Sequence, residues 1–221
     1  MPEALSFRVW ASHGAALVET GAATLLLAFA VVALALALAL GSLEAKPHRC
    51  LLTALVYLPL IAPQVTFLPG LQAASLKIGL GSGALPVGLI HLVFLLPYLL
   101  LVLADPFNAL DPRYRTIAAG LGLSPARQFW GLRLPLLLTP IAGAVAVGMA
   151  VSIGQYLPTL LAGGGRLPTL TTEALALAAG GDRRVIGAYG LAQAAAALAP
   201  FALALALPRR VWRNRQGMLH G

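Results

Sequence analysis

Five stretches of this 221-residue chain contain no Asp, Glu, Lys or Arg: residues 20–43, 50–76, 78–104, 134–165 and 185–208. Each is longer than the roughly 20 residues a helix needs to cross about 30 Å of hydrocarbon. With 59% hydrophobic residues and a mean hydropathy of +0.87, the chain lacks the polar surface of a soluble domain. Strict Ala/Leu alternation over 33–40 and 202–207 has the period of a strand, but Ala and Leu are strong helix formers and no turn residue breaks either run. A membrane barrel would need segments of about ten residues alternating polar with apolar, a pattern the sequence lacks. The expected fold is all-α: a polytopic membrane bundle of five transmembrane helices.

Between the third and fourth stretches, a capped helix-turn-helix interrupts the apolar sequence. Asp111-Pro112 places an acceptor at the N-cap and Pro at N1 of a first short helix. Gly122 is suited to the left-handed residue that ends it, and Ser124-Pro125 repeats the cap-plus-Pro signal for a second. This second helix runs on into Leu134-Pro135, where the next apolar stretch begins. A docking surface explains 116–143 better than lipid does.

Basic residues in short loops mark the cytoplasmic side. Five spans put Lys46, Arg49, Arg113, Arg115, Arg127, Arg133, Arg209, Arg210, Arg213 and Arg215 on one face, and Arg8, Lys77, Arg166, Arg183 and Arg184 on the other. The bias assigns 1–19 to an external N-terminal segment, 20–208 to the transmembrane domain with its cytoplasmic loop at 105–133, and 209–221 to a basic cytoplasmic tail. The net charge of +8 then reads as a topology signal with attraction to anionic membrane lipid, and nucleic acid is not an expected partner. Residues 1–19 lack the pattern of a cleaved signal peptide. Two explanations of the external N-terminus stand: the chain is a truncated or split portion of a longer membrane protein missing a preceding span, or it is a natural five-span protein.

Polar residues are clustered. Ser152, Gln155, Tyr156 and Thr159 recur at spacings that share roughly one helical face, which should meet a helix partner or a water-filled path instead of lipid. Thr169, Thr171, Thr172 and Glu173 follow a flexible Gly163-Gly164-Gly165 turn and open an apolar stretch expected to re-enter partway. Lining of a solute path and simple interhelical hydrogen bonding are both consistent with these groups. Gln64, Thr66, His91 and Tyr98 are secondary candidates, and a single His inside a bundle reads first as a hydrogen-bonded structural residue. The prolines within the spans, among them Pro59, Pro63, Pro69, Pro97, Pro140 and Pro158, read as kinks.

Catalytic chemistry has no support. The seven acids form no HExxH or EF-hand spacing, no GxxxxGK[ST] loop is present, and Cys50 is the single cysteine. No metal, cofactor or catalytic residue is expected, and energy for any transport must come from elsewhere than a P-loop of this chain.

The run from Leu121 to Pro135, LGLSPARQFWGLRLP, resembles the cytoplasmic EAA loop of type I ABC importer permeases. Gly122, Leu132 and Leu134-Pro135 match in register, as does the Ser124-Pro125-x-Arg127-x-Phe129 core. The Glu-Ala-Ala itself falls on Thr116-Ile117-Ala118, of which only the last position agrees; Arg113 and Arg115 are candidate substitutes for the polar contact of the missing Glu. The stretches 152–160 and 165–173 resemble the C-terminal half of fused permeases of the thiamine-like, ferric-iron and polyamine group, most nearly a thiamine-type system. The resemblance implies a bacterial inner-membrane, multi-pass transport subunit, not an enzyme. It also implies an ABC ATP-binding subunit dimer as partner, a second permease half or subunit, and a periplasmic solute-binding protein. Thr116, Ala118, Gly122, Ser124, Arg127, Phe129, Trp130, Leu134 and Pro135 would form the ATPase-coupling segment. Ser152, Gln155, Tyr156, Thr159, Thr172 and Glu173 would line the solute path. Phe129 and Trp130 suit anchors in an ATPase cleft, with interfacial membrane anchoring as the other reading. A secondary transporter and a non-transporting scaffold are the competing classes. No acid falls mid-span for ion coupling, and a scaffold would need no polar stripe.

Overall fold

The computed structural model describes residues 8–45, 50–180 and 183–211, and these are all-α, with no strand. Lys46, Arg49, Asp182, Arg213 and Arg215 lie outside the described residues, as do 1–7 and the end of the basic tail. Helix α1 (Arg8–Ala45) is followed by α2 (Cys50–Ile61), α3 (Gln64–Lys77) and α4 (Ala84–Asn108). Two short helices, α5 (Arg113–Gly120) and α6 (Pro125–Gln128), lead through a π-helical turn, Phe129–Arg133, into α7 (Leu134–Leu136). The chain continues as α8 (Leu138–Gly154), α9 (Tyr156–Gly163), α10 (Leu170–Gly180) and α11 (Arg183–Val211).

The Ala/Leu alternation resolves as a helix would require. Ala28, Val32, Ala35 and Ala39 of α1 recur every three to four residues and are buried, whereas Leu34 and Leu38 of the same run are exposed. That small-residue face packs against Leu95, Leu99 and Leu103 of α4 and against Ala144, Met149 and Ile153 of α8. Small residues let the three backbones approach, as in membrane bundles generally. Gly148 marks the tightest point: a Cβ there would stand 3.0 Å from Leu99 Cδ1 and 3.1 Å from Val32 Cγ2.

Helices α1, α4 and α11 are each long and apolar enough to cross a membrane, and a fourth crossing is counted if α6–α7 and α8, bent by 76°, are taken as one span. The five expected helices are therefore not all present as single rods. The stretch 50–76 is divided into α2 and α3, and at 1.5 Å per residue the 12 residues of α2 reach only about 18 Å. Proline is the cause: Pro59 lies inside α2, Pro69 inside α3, and Pro63 takes an extended ψ of 128° at the head of α3, turning the chain where a kink had been expected. The stretch 134–165 is also broken, at Gln155. The threonines of α1 find partners: Thr20 Oγ1 donates to Ala16 O at 2.8 Å, Thr24 Oγ1 donates to Thr20 O at 2.6 Å, and Leu170 N–H donates to Thr24 Oγ1 at 2.9 Å, pinning the start of α10 to α1.

Candidate functional site

The helix-turn-helix is built almost entirely from local backbone chemistry. Asp111 Oδ1 accepts from Arg113 N–H at 2.8 Å at the entry to α5. At its exit Gly122 adopts φ 75°, Leu123 N–H donates to Ala118 O at 3.0 Å, and Gly122 N–H donates to Ala119 O at 2.9 Å. These two bonds make a Schellman motif, in which the left-handed residue lets otherwise orphaned carbonyls be satisfied. Ser124 Oγ then accepts from Arg127 N–H at 3.4 Å and Pro125 occupies the first turn of α6, while Gln128 Nε2 donates back to Leu123 O at 2.8 Å. The Gly122 hinge and the Ser124 cap stand where they were expected, whereas α5 begins one residue later than expected, with Pro112 at its N-cap and Asp111 just before it.

Beyond α6 the helix widens. Leu134 N–H donates to Phe129 O, a five-residue step. Pro135 has no N–H to offer the Gly131 carbonyl, and the π turn falls where the α pattern would lack that donor. Pro140 likewise brings no N–H to Leu136, and the chain bends by 76° at Leu137, whose φ and ψ of −93° and 10° leave the helical region.

Helices α5 and α6 enclose an apolar groove of about 590 Å³ lined by Tyr114, Ile117, Ala118, Leu121, Leu123 and Trp130 among others. Ile117, Leu121 and Trp130 are 61%, 75% and 67% exposed. The two aromatic residues part company here. Trp130 faces outward into the groove, whereas Phe129 is half-buried against the bundle core, their rings meeting edge to face at 5.4 Å. Thr116, Ser124 and Arg127 are exposed, Ala118 is buried, and Leu134 and Pro135 are half-buried at the root of the segment.

One contact was not legible in the sequence. Arg133, 8% exposed, pairs through Nη1 with Glu44 Oε1 at the end of α1, and its guanidinium carbon lies 4.3 Å over the ring of Phe107 near the end of α4. Sequence reading counted Arg133 only as a topology charge. No local pattern announces a pairing across 89 residues.

The polar stripe sits near the opposite end of the bundle. Gln155 has φ −77° and ψ 90°, separating α8 from α9. Pro158 brings no N–H for the carbonyl of Gly154, and the neighbouring Ile153 carbonyl accepts instead from Thr171 Oγ1 at 2.6 Å. Ser152 and Thr159 are drawn together by His91 of α4: Nδ1 lies 3.1 Å from Ser152 Oγ and Nε2 lies 2.9 Å from Thr159 Oγ1. Thr159 Oγ1 also lies 2.6 Å from Gln155 O as its donor. His91, Ser152, Gln155 and Thr159 are all buried, and both polar atoms of the Gln155 side chain lack a partner. Tyr156 is half-buried beside them. Thr172 stands apart from this cluster: it exchanges hydrogen bonds with Thr169 at the head of α10, with Thr169 N–H donating to Thr172 Oγ1 at 2.8 Å, in the manner of a capping box. Glu173 follows in the first turn of α10, where a carboxylate complements the helix dipole. Among the described residues no group of three or more His, Cys, Asp or Glu is arranged to hold a metal ion.

A family model described as binding-protein-dependent transport system inner membrane component matches residues 32–213, the greater part of the chain. The chain belongs to this family. As a permease it is similar to the inner membrane ABC transporter permease protein YnjC of Escherichia coli K12, with 38% identity over 185 residues, which are 84% of this chain and 36% of that protein. It is also similar to the molybdenum transport system permease protein ModB of Mycobacterium tuberculosis, with 32% identity over 96 residues covering 43% of this chain and 36% of ModB. A spermidine/putrescine transport system permease protein PotC homolog of Mycoplasma genitalium is 34% identical over 83 residues, 38% of this chain and 29% of the relative. The permease thus spans about a third of the length of the curated relatives it matches. Its membrane setting and its role as a transport subunit follow from the family, and the α5–α6 groove and the α8–α9 break both fall within the matched residues.

Proposed function

We propose that this permease forms one transmembrane half of an ATP-driven, binding-protein-dependent importer. The α5–α6 segment is the surface on which an ATP-binding subunit docks. The carrying observation is the groove itself: a backbone-capped pair of short helices, the second of which continues through α7 to a 76° bend into α8, presents Trp130 and exposed aliphatic side chains where lipid alone would not require a cleft. Aromatic residues in such clefts are frequent interface hot spots. Two copies of the ATP-binding subunit would serve this half and a second permease half or subunit, and a periplasmic solute-binding protein would deliver to the end near Gln155.

The solute is proposed to belong to the thiamine-like, polyamine or ferric-iron class. The buried polar groups near the helix break are neutral, and amide, hydroxyl and aromatic groups pass a cation or delocalised ring by hydrogen bonding and cation–π attraction of about 0.5 to 2 kcal/mol. The relatives named for molybdenum and for spermidine/putrescine do not choose among these. In this reading Ser152, Gln155, Tyr156 and Thr159 come to line a path in another conformation of the transporter, while Thr172 and Glu173 hold the re-entrant α10 beside it.

Co-purification from mild detergent tests docking. The unsubstituted chain should retain an ATPase, and Trp130→Ala should reduce its recovery roughly tenfold, the effect of losing about 1.4 kcal/mol of interface energy. No ATPase recovered with the unsubstituted chain would refute the reading.

A further inference from the structure

Arg133 touches three separate elements with one side chain. It stands in the π turn at the root of the docking segment, pairs with Glu44 in the last turn of α1, and lies over Phe107 near the end of α4. Glu44 is poorly placed by itself, since a carboxylate at a helix C-terminus faces the negative end of the dipole, and that turn of α1 carries no basic residue. Arg133 supplies the missing cation. Arg133 in turn is 8% exposed and needs a counter-charge, because a buried guanidinium without one is strongly disfavoured. Each charge therefore accounts for the presence of the other, and Phe107, 2% exposed, adds a cation–π contact beneath the guanidinium. A small cleft of about 230 Å³ between Glu44, Arg115, Gln128 and Phe129 leaves the pair partly open to the docking segment.

We propose that Arg133 and Glu44 are positioning residues that make the docking segment and the ends of α1 and α4 move as one body, so that displacement by the ATPase reaches α1 directly. This rests on the docking function proposed above. The pair adds a polar link to the apolar packing of Phe129 and Leu134 against the core that α1, α4 and α8 form.

Two measurements on the full chain, assembled in nanodiscs with its second half and the co-purifying ATPase, decide it. Nitroxides at Leu38→Cys on α1 and Ala119→Cys on α5, in a Cys50→Ser background, report their separation with and without ATP and vanadate. The unsubstituted pair should keep its distance to within about 2 Å, whereas E44Q and R133M should show a nucleotide-dependent change of about 5 Å, the range of helix shifts in switching proteins. A merely structural loss would alter the distance equally in both nucleotide states. An unchanged distance in both variants, or a nucleotide-dependent change in the unsubstituted protein, overturns the proposal.

Amide hydrogen exchange on the permease without ATPase gives a second readout that survives failure of the docking reading. E44Q, which keeps the size of the side chain, should accelerate exchange about tenfold in the last turn of α1, the last turn of α4 and 113–133 together. Acceleration confined to 129–133 would show that the three elements are not joined through this pair. Absence of a co-purifying ATPase would refute docking alone, leaving the exchange result to decide the link.

Discussion

Gln155 is the residue whose environment departs most from its chemistry. Its amide is buried with neither atom partnered, next to a cluster in which every other polar side chain has found one. Leaving a buried polar group unsatisfied costs about 1–3 kcal/mol, so replacing it by an apolar side chain of similar size should stabilise this conformation. Gln155→Met is accordingly expected to raise the thermal midpoint of the detergent-solubilised protein while lowering uptake of the cognate solute. A lower midpoint would mean that the amide has a partner in this state. The sequence revealed Ser152, Gln155 and Thr159 as a set through their spacing. It could not reveal that His91, more than sixty residues away, bridges two of them and leaves the third alone, because that pairing depends on how α4 packs against α8 and α9.

At the scale of the helix, features encoded within four or five residues were readable and features set by packing or accumulated prolines were not. Asp111, Gly122 and Ser124-Pro125 act on their own neighbours, so cap chemistry located both short helices. Gly122→Pro should abolish the left-handed turn and misplace the groove. Membrane insertion should persist while ATPase recovery drops roughly tenfold, or about 1.4 kcal/mol, and normal recovery would remove Gly122 from the hinge. The division of 50–76 and the π turn were missed for a common reason: proline deletes a donor and adds a clash, but whether the chain bends, widens or breaks depends on what surrounds it. Helix contact gives a further test at Gly148. Gly148→Val should push α8 from α1 and α4 at a cost of about 1–3 kcal/mol, seen as a lower midpoint in thermal unfolding. An unchanged midpoint would show that Leu99 and Val32 can yield.

For the whole molecule, the apolar sequence identified the solvent before it identified the number of crossings. Three helices can cross singly and a bent pair supplies a fourth, while the second apolar stretch is spent on two shorter helices. The proposed arrangement places Arg127 and Arg166 on opposite sides of the membrane. Single cysteines at these positions should therefore differ in labelling by an impermeant reagent added to intact cells, with only position 166 reacting, and a reactive cysteine at 127 would reverse or break the topology. One side of α11 packs against α8 and α10 through Ala192, Ala196 and Ala197, while Leu191, Leu198, Leu203 and Leu205 of the same helix stay exposed on an apolar outer side. The loop between α5 and α6 carries a consequence for descent. Its shape is held by main-chain bonds to Ala118 and Ala119, one glycine and one serine cap, none of which uses the side chains of Ile117, Leu121 or Trp130. Geometry and recognition are thus separable inherited traits. If the groove is the docking surface proposed above, lineages can exchange Ile117, Leu121 or Trp130 to change which motor is accepted, with the turn that displays them left intact.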